Sequence, residues 1–521
     1  MKPTVVASQI VVRYVLEHRA STRPDDIAVT FADGQQWTNA EALVQAYRAA
    51  NALAAEGVRQ DDRVGIFLWN GAEFLRAWWG SACLGATIAT YNVSYRGAML
   101  DHAIGLSRPR LIITEDDLLN RVAQLVEHPP VVDPAILVEG EDTAPELDRP
   151  IELWDIHCVT LTSGTTGPSK ASLTTYFGLH QTGSFYTVEA GLDADDTCLV
   201  DLPLFHQAAL SFSSTAMSAG CRLAIRKAPD LTNYWTVVKE TGATMSFVLA
   251  TMLDYLLARP PSPQERDHRL RYVMLSPAPV DPSVVLERFG VTDYITGYGA
   301  TEISGPIVRR PGEPTAPESV GRLREGYEVR LVDEHDMEVA PGEVGELIVR
   351  TEQPWALSAG YVDDPGTTAK AWRNGWWHSG DLLRRDSAGN YFFHDRLKDA
   401  VRRRGENIST FEVEREVKCH PMVGEVACVP VPIAAGGEEE VKVWIVPAAG
   451  ASVNMPVLVE YLAERMPHFM VPRFYELTDA LPKTESLRVK KHLLKEYGNS
   501  EQTWDLEAYG WRMTRNGLVK C

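Results

Sequence analysis

The first sustained pattern along the chain is helical. Across residues 38–57, Leu43, Ala46, Ala50, Leu53 and Ala54 recur on one face and Gly57 supplies a stop. Residues 63–68 then read as a strand, Asn70-Gly71 as a turn, 73–85 as an apolar helix, and 87–90 and 110–114 as two further strands. Strand, helix, strand in this rhythm predicts parallel α/β layering. Residues 124–153 turn rich in Pro, Asp and Glu and read as a loop leading into an apolar strand at 158–161. Further on, 246–257 and 273–279 read as strand and helix elements lining a pocket.

Length changes the picture: 521 residues with 45% hydrophobic content imply two or more domains, each with a sizeable core. A formal net charge of −19 argues against nucleic acid as the main partner. The seven cysteines are scattered, odd in number and without a C-x-x-C pair, so neither a zinc site nor a disulfide framework is expected and a cytosolic compartment is. The apolar run at 5–12 is interrupted by Ser8 and Gln9, lacks a cleavage-like site and is not expected to be a targeting segment. No stretch approaches a membrane span, and no internal repeat is visible.

Candidate chemistry begins at Thr162-Ser163-Gly164-Thr165-Thr166-Gly167-Pro168-Ser169-Lys170, where an apolar strand ends. Gly164 and Gly167 let backbone N–H groups turn inward, the Ser and Thr hydroxyls donate, and Lys170 adds positive charge, a composition suited to a triphosphate. The spacing is not that of the nucleotide P-loop. Taken alone, such a run is most often a polar turn between two strands. Four further stretches follow in order. They are Pro203-Leu204-Phe205-His206; Thr296-Gly297-Tyr298-Gly299-Ala300-Thr301-Glu302; Gly375-Trp376-Trp377-His378-Ser379-Gly380-Asp381; and Asp395-Arg396-Leu397-Lys398-Asp399. An aromatic face can stack a purine, a carboxylate can hold Mg²⁺ beside phosphates, and an aspartate after a glycine turn can accept ribose hydroxyls.

This ordered set resembles the adenylate-forming (AMP-binding) superfamily, which includes acyl-CoA and aryl-CoA synthetases, luciferases and peptide-synthetase adenylation domains. The resemblance implies an α/β fold. A large multi-layer N-terminal domain, 1–396, would precede a small mobile α+β domain, 397–521, with a hinge at Lys398. It implies ATP, Mg²⁺ and CoA as partners of a small organic acid. By this likeness Thr162, Ser163, Gly164, Thr165, Thr166, Gly167 and Lys170 would cradle phosphates. Gly297, Tyr298, Gly299 and Thr301 would frame the adenine and α-phosphate, and Glu302 would hold the metal. Asp381 would grip ribose and Arg396 would touch the nucleotide, while His206 would lie beside the acid and Gly405 beside the pantetheine arm. The basic triplet Arg402-Arg403-Arg404 reads as a solvated face or as an attractor for CoA phosphates.

Two stretches depart from the family pattern. The catalytic lysine position is matched by Arg488, with Leu487 in place of glycine, and Lys490 stands two residues on as a substitute if the segment is extended. Ser276-Pro277 replaces the usual small residues of the pocket wall, and proline fixes φ and removes a donor there. The implied activity is ATP-dependent formation of an acyl- or aryl-adenylate followed by thioester formation with CoA. The alternatives are nitrite activation for diazotising an aromatic amine in secondary metabolism, a luciferase-like oxidation, and a non-catalytic nucleotide-binding homologue. Oligomeric state is open, a homodimer included.

Overall fold

A computed structural model of the chain describes residues 5–125, 127–162, 170–276, 279, 281–314, 316–396, 401–403, 406–408, 410–432, 439–466, 468–483, 489–514 and 517–520. The expected amphipathic helix is Asn39–Ala55, and its start is chemically explicit. The Glu41 amide donates to Thr38 Oγ1 at 3.2 Å while the Thr38 amide donates to Glu41 Oε2 at 2.8 Å, a capping box that satisfies two orphan N–H groups. The apolar run near the N-terminus, for which no element was expected, folds as Ala7–Ile10 and Val12–Thr22 and buries Ile10, Val11 and Val12.

The predicted parallel layering is present in two sheets. The first has six strands in the order Val131–Val132, Leu111–Thr114, Arg63–Phe67, Thr87–Thr90, Ile156–Thr162 and Lys170–Thr175, all parallel except the last pair. The second has nine strands. Its middle runs parallel through Asp293–Ala300, Tyr272–Ser276, Met245–Leu249, Thr197–Val200, Arg222–Ile225 and Ile27–Thr30, and antiparallel strands close both ends. Helices Asn39–Ala55 and Ala72–Cys83 contribute Ala49, Leu53, Trp78 and Trp79 to the main apolar core shared by these sheets. A third, antiparallel sheet follows, Tyr327–Val332, Val344–Thr351, Trp377–Arg385 and Tyr391–Arg396.

Beyond Arg396 a separate core forms around the strands Val423–Pro432, Glu439–Pro447 and Phe474–Leu477, with helices Thr410–Lys418 and Met455–Arg465 packed on it. One reading of the basic triplet is corrected here. Arg403 is buried, pairs with Glu440 at 2.7 Å and donates to the carbonyls of Phe469 and Val471, so it anchors the small core rather than facing solvent or a CoA phosphate. Arg404 lies outside the described residues. Among the described residues no helix is long and apolar enough to cross a membrane.

One buried acid gives the large core a pH dependence. Asp201 follows the strand Thr197–Val200, is 2% exposed, and burial pushes its carboxyl up to about 7, against the weaker downward pull of its own and Leu202's amides and the Arg226 charge. Its folded pKa stands above the unfolded value of about 3.9, so the stability it contributes is full below pH 4 and is lost as pH rises through 7. Asp201→Asn should therefore gain stability over the wild type by roughly 2–4 kcal/mol more at pH 8 than at pH 4.5, measured by urea unfolding at both pH values.

Candidate functional site

The two ends of the hydroxyl-rich run, Thr162 and Lys170, lie on paired strands. Strands Ile156–Thr162 and Lys170–Thr175 pair antiparallel with Thr162 opposite Lys170, and Thr162 Oγ1 donates to the Lys170 carbonyl at 3.3 Å. Ser163, Gly164, Thr165, Thr166 and Gly167 lie outside the described residues, so the structure fixes the two ends of the run. Lys170 Nζ stands 4.9 Å above the ring of Tyr361.

The stretch around Tyr298, readable as a glycine-rich turn, is instead the strand Asp293–Ala300, antiparallel to Ser304–Arg309. Its glycines serve close approach and not positive φ. A Cβ at Gly297 would lie 2.2 Å from the Phe185 ring and one at Gly299 would lie 2.1 Å from the Ser304 carbonyl oxygen. Tyr298 is 7% exposed and its hydroxyl donates to Asp381 Oδ2 at 2.7 Å. Asp381 lies in the strand Trp377–Arg385, its amide donates to Ser379 Oγ at 3.1 Å, and it sits in register opposite Arg396.

At the tip of the same hairpin stand Thr301 and Glu302. The Thr301 carbonyl accepts from Gln207 Nε2 at 3.2 Å, and Glu302 Oε1 accepts from the Tyr361 hydroxyl at 3.0 Å. Burial raises the Glu302 carboxyl above its ordinary range; the Tyr361 hydrogen bond and the Lys170 charge pull it down, and Asp381 adds to the rise. Burial and the Glu302 carboxylate together raise the Tyr361 phenol, which stays a donor. Among the described residues no group of three or more His, Cys, Asp or Glu forms a cage. One desolvated carboxylate suits a hard cation whose other ligands are phosphate oxygens and water.

His206, implied to lie beside the acid, is preceded by the strand Thr197–Val200 but does not belong to it. It is the N-cap residue of the helix Gln207–Ser218, after a turn in which Asn70 accepts the Leu204 amide at 2.8 Å and donates to the Leu202 carbonyl at 2.9 Å. Within the stretch read as a pocket-lining element, the strand Tyr272–Ser276 ends at Ser276, and Pro277 lies outside the described residues. Thr162 and Lys170 from the first sheet, Tyr298 to Glu302 from the second, Asp381 from the third with the Arg396 backbone in register opposite it, and Gln207, next to His206 at the start of the helix Gln207–Ser218, are thus brought together. Sequence reasoning missed Tyr361. A single Tyr in a Gly, Asp and Pro loop carries no signal until the loop is seen against Glu302.

In the small domain Gly405, Arg488 and Lys398 lie outside the described residues. Lys490 does not continue an extended segment: it is the N-cap residue of the helix Lys491–Tyr497, its amide donating to the Pro482 carbonyl at 2.7 Å. The neighbouring Lys491 is the enclosed one. It donates to Thr410 Oγ1 at 2.6 Å and pairs with Glu414 at 2.9 Å, while Asp395 Oδ2 accepts from the Thr410 amide and hydroxyl at 2.6 and 2.7 Å. Burial pulls the Lys491 ammonium down, but Glu414 and Asp395 outweigh it and hold it raised.

Fold and site together define a two-domain enzyme built to hold a nucleotide. The model for the AMP-binding enzyme matches residues 16–362 and that for the AMP-binding enzyme C-terminal domain matches 412–488. The chain belongs to the AMP-binding enzyme family. It is similar to the crotonobetaine/carnitine–CoA ligases of Citrobacter koseri and Proteus mirabilis, each 29% identical over 484 residues, covering 88% of this chain and 93% of theirs. Its fold matches ATP-bound MatB from Rhodopseudomonas palustris with a TM-score of 0.84 at 23% identity, over 93% of this chain and 98% of that one. It likewise matches o-succinylbenzoate coenzyme A synthetase from Bacillus subtilis with ATP and a magnesium ion, TM-score 0.82 at 24% identity, over 92% and 99%.

Enclosure separates the two lysines. Lys491→Met leaves the half-buried Glu414 short of a cation and should lower the unfolding free energy by about 2 kcal/mol. Lys490→Ala should change it by less than about 0.5 kcal/mol, both read from urea denaturation.

Proposed function

We propose that the protein activates a small organic carboxylic acid, acyl or aryl, with ATP and passes the acyl group to the thiol of CoA. The observation that carries this reading is the convergence of Lys170, Glu302, Tyr298 and Asp381 from three sheets on one region. The names of the curated relatives, which are CoA ligases, supply the reaction class.

In the first step a carboxylate oxygen attacks the α-phosphorus of ATP, the bond from that phosphorus to the bridging oxygen of the β-phosphate breaks, and pyrophosphate leaves. The run from Thr162 to Lys170 donates hydrogen bonds and charge to the phosphates; Thr301 serves the α-phosphate. Tyr298 lies along the adenine, Asp381 accepts from ribose and Arg396 serves the nucleotide beside it. Gly297 and Gly299 let Phe185 and the strand Ser304–Arg309 pack directly behind this stretch. His206 borders the acid. Mg²⁺, when bound, neutralises phosphate oxygens, and Glu302 is the residue that would hold it. In the second step the CoA sulfur attacks the acyl carbon, the bond from that carbon to the phosphate oxygen breaks with its electron pair going to AMP, and the thiol proton is released to solvent. Residues 397–521 act as the mobile small domain about Lys398, Gly405 gives the thiol arm its approach, and Arg488 brings positive charge to the α-phosphate for the first step. A cytosolic setting fits the unpaired cysteines, six of which are free in the described residues.

Pyrophosphate release should require ATP, Mg²⁺ and one class of acid in a screen of aliphatic and aromatic acids, and AMP release into a thioester should require CoA. Release driven by nitrite with an arylamine, and by no carboxylic acid, would replace this reading. Glu302→Gln is the control and should abolish release while leaving the fold intact. The small-domain charge is tested separately. Arg488→Ala should slow adenylation by roughly 10²–10³ and change attack of CoA on preformed adenylate far less, in rapid-quench measurements. Loss of adenylation in Lys490→Ala but not in Arg488→Ala would move the role to Lys490.

A further inference from the structure

Segment 358–362 is laced to both halves of the proposed nucleotide site. The Leu173 amide donates to the Gly360 carbonyl at 2.9 Å, the Val362 amide to the Ala171 carbonyl at 2.9 Å, and the Ala359 amide to the Leu173 carbonyl at 3.0 Å. The segment is therefore bonded along the strand Lys170–Thr175, whose first residue ends the phosphate run. On its other side the Ser358 amide donates to the Glu302 carbonyl at 2.8 Å, and Ser358 Oγ meets Ser172 Oγ at 2.9 Å. Tyr361 has its own anchors: its amide donates to Thr368 Oγ1 at 3.0 Å and its ring packs 6.0 Å from that of Trp377. From that fixed base the hydroxyl reaches Glu302 Oε1 at 3.0 Å and the ring face lies 4.9 Å below Lys170 Nζ.

We propose that Tyr361 is a positioning residue for ATP activation: its hydroxyl aims the Glu302 carboxylate and its ring seats the Lys170 ammonium, so that one side chain sets the separation of the carboxylate and cationic sides of the phosphate site. The proposal rests on the function proposed above. The physical reason is charge and geometry combined. A carboxylate has several acceptor sites, and one fixed donor removes the freedom to rotate its other oxygen away from a cation. An ammonium over a phenol face is held by the ring's quadrupole, and its N–H groups that point away from the ring remain for an anion. Trp377, Thr368 and the backbone bonds hold the phenol in place, so the carboxylate follows the ring.

The test is ATP binding by calorimetry to the full chain without acid, across a Mg²⁺ titration and separately in EDTA. Tyr361→Phe keeps the ring and should raise the Mg²⁺ concentration at half-effect about tenfold, the loss of one hydrogen bond to a charged group, while leaving metal-free ATP affinity within about twofold. Tyr361→Leu removes the seat as well and should weaken metal-free ATP binding by about fivefold. On a Glu302→Gln background Tyr361→Phe should add less than about twofold, because the aimed group is already lost. A Tyr361→Phe midpoint within twofold of the wild type, or an equal shift on the Glu302→Gln background, overturns the role of the hydroxyl. Unchanged metal-free affinity in Tyr361→Leu overturns the seat for Lys170. A wild-type chain that binds no ATP under any of these conditions refutes the proposed function itself, a result distinct from either failure.

Discussion

The pairing of Asp293–Ala300 with Ser304–Arg309 is so close that no side chain fits at Gly299, and the geometry of the candidate site follows from that constraint. The register slips between Tyr298 and Ala300, and the chain re-enters the second strand through Ser304 at φ 58, a left-handed conformation that a non-glycine residue adopts at a cost of order 1 kcal/mol. Ser304 is held there by its hydroxyl, which donates to the Ala356 carbonyl at 2.7 Å. A hairpin turned this tightly points Tyr298 at Asp381 and puts Glu302 at the tip, where segment 358–362 meets it. Any residue larger than glycine at 299 would push the strands apart and move both contacts together.

The small domain is organised by buried charge more than by size. Lys442 is 0% exposed, and its ammonium pairs with Glu476 at 2.6 Å and donates to Thr503 Oγ1 at 3.1 Å and to the Gly498 carbonyl. Ser500 closes the other carboxylate oxygen at 2.7 Å. Three of these partners lie past residue 488, where the family match to the C-terminal domain ends, so the tail supplies acceptors and donors that a buried ion pair needs. The strand Trp504–Asp505 then joins the sheet beside Phe474–Leu477, and Arg473 pairs with Asp505. Such pairs add little net stability over apolar packing, but they admit one arrangement.

How much of this was legible follows from what each signal depends on. The helix Asn39–Ala55 and the strands at Arg63–Phe67, Thr87–Thr90 and Leu111–Thr114 were readable to within two residues, because period and stop residues are local properties. The gathering of Lys170, Tyr298, Glu302 and Asp381 was foreshadowed by the order of their stretches. Three features were not readable. Tyr361 acts through segment 358–362, whose bonds join strands far apart in sequence. Arg403 looked solvated because a run of three arginines carries no sign of which one finds a buried partner, and Glu440 lies 37 positions on by residue number. The glycines around Tyr298 read as turn formers, since sequence does not distinguish a glycine needed for φ from one needed for space.

Buried acids elsewhere in the chain show why the site rests on convergence and not on a perturbed carboxyl alone. Glu476 is enclosed too, yet against the effect of burial Lys442, Thr503 and Ser500 hold it below its ordinary range, the signature of a paired structural group. Asp201 is raised to about 7 by burial, with its own and Leu202's amides and the Arg226 charge pulling it down less strongly. Glu302 is raised like Asp201 but differs in its company: a neutral phenol on one oxygen, a lysine on the far side of that phenol, and a second carboxylate, Asp381, adding to the negative field. Glu302 is therefore held between opposing influences, with burial and the Asp381 charge raising it and the Tyr361 hydroxyl and the Lys170 charge lowering it. A desolvated carboxylate of this kind gains from a cation approaching its second oxygen, which is the electrostatic reason the proposed metal role falls on Glu302 and not on Asp201 or Glu476.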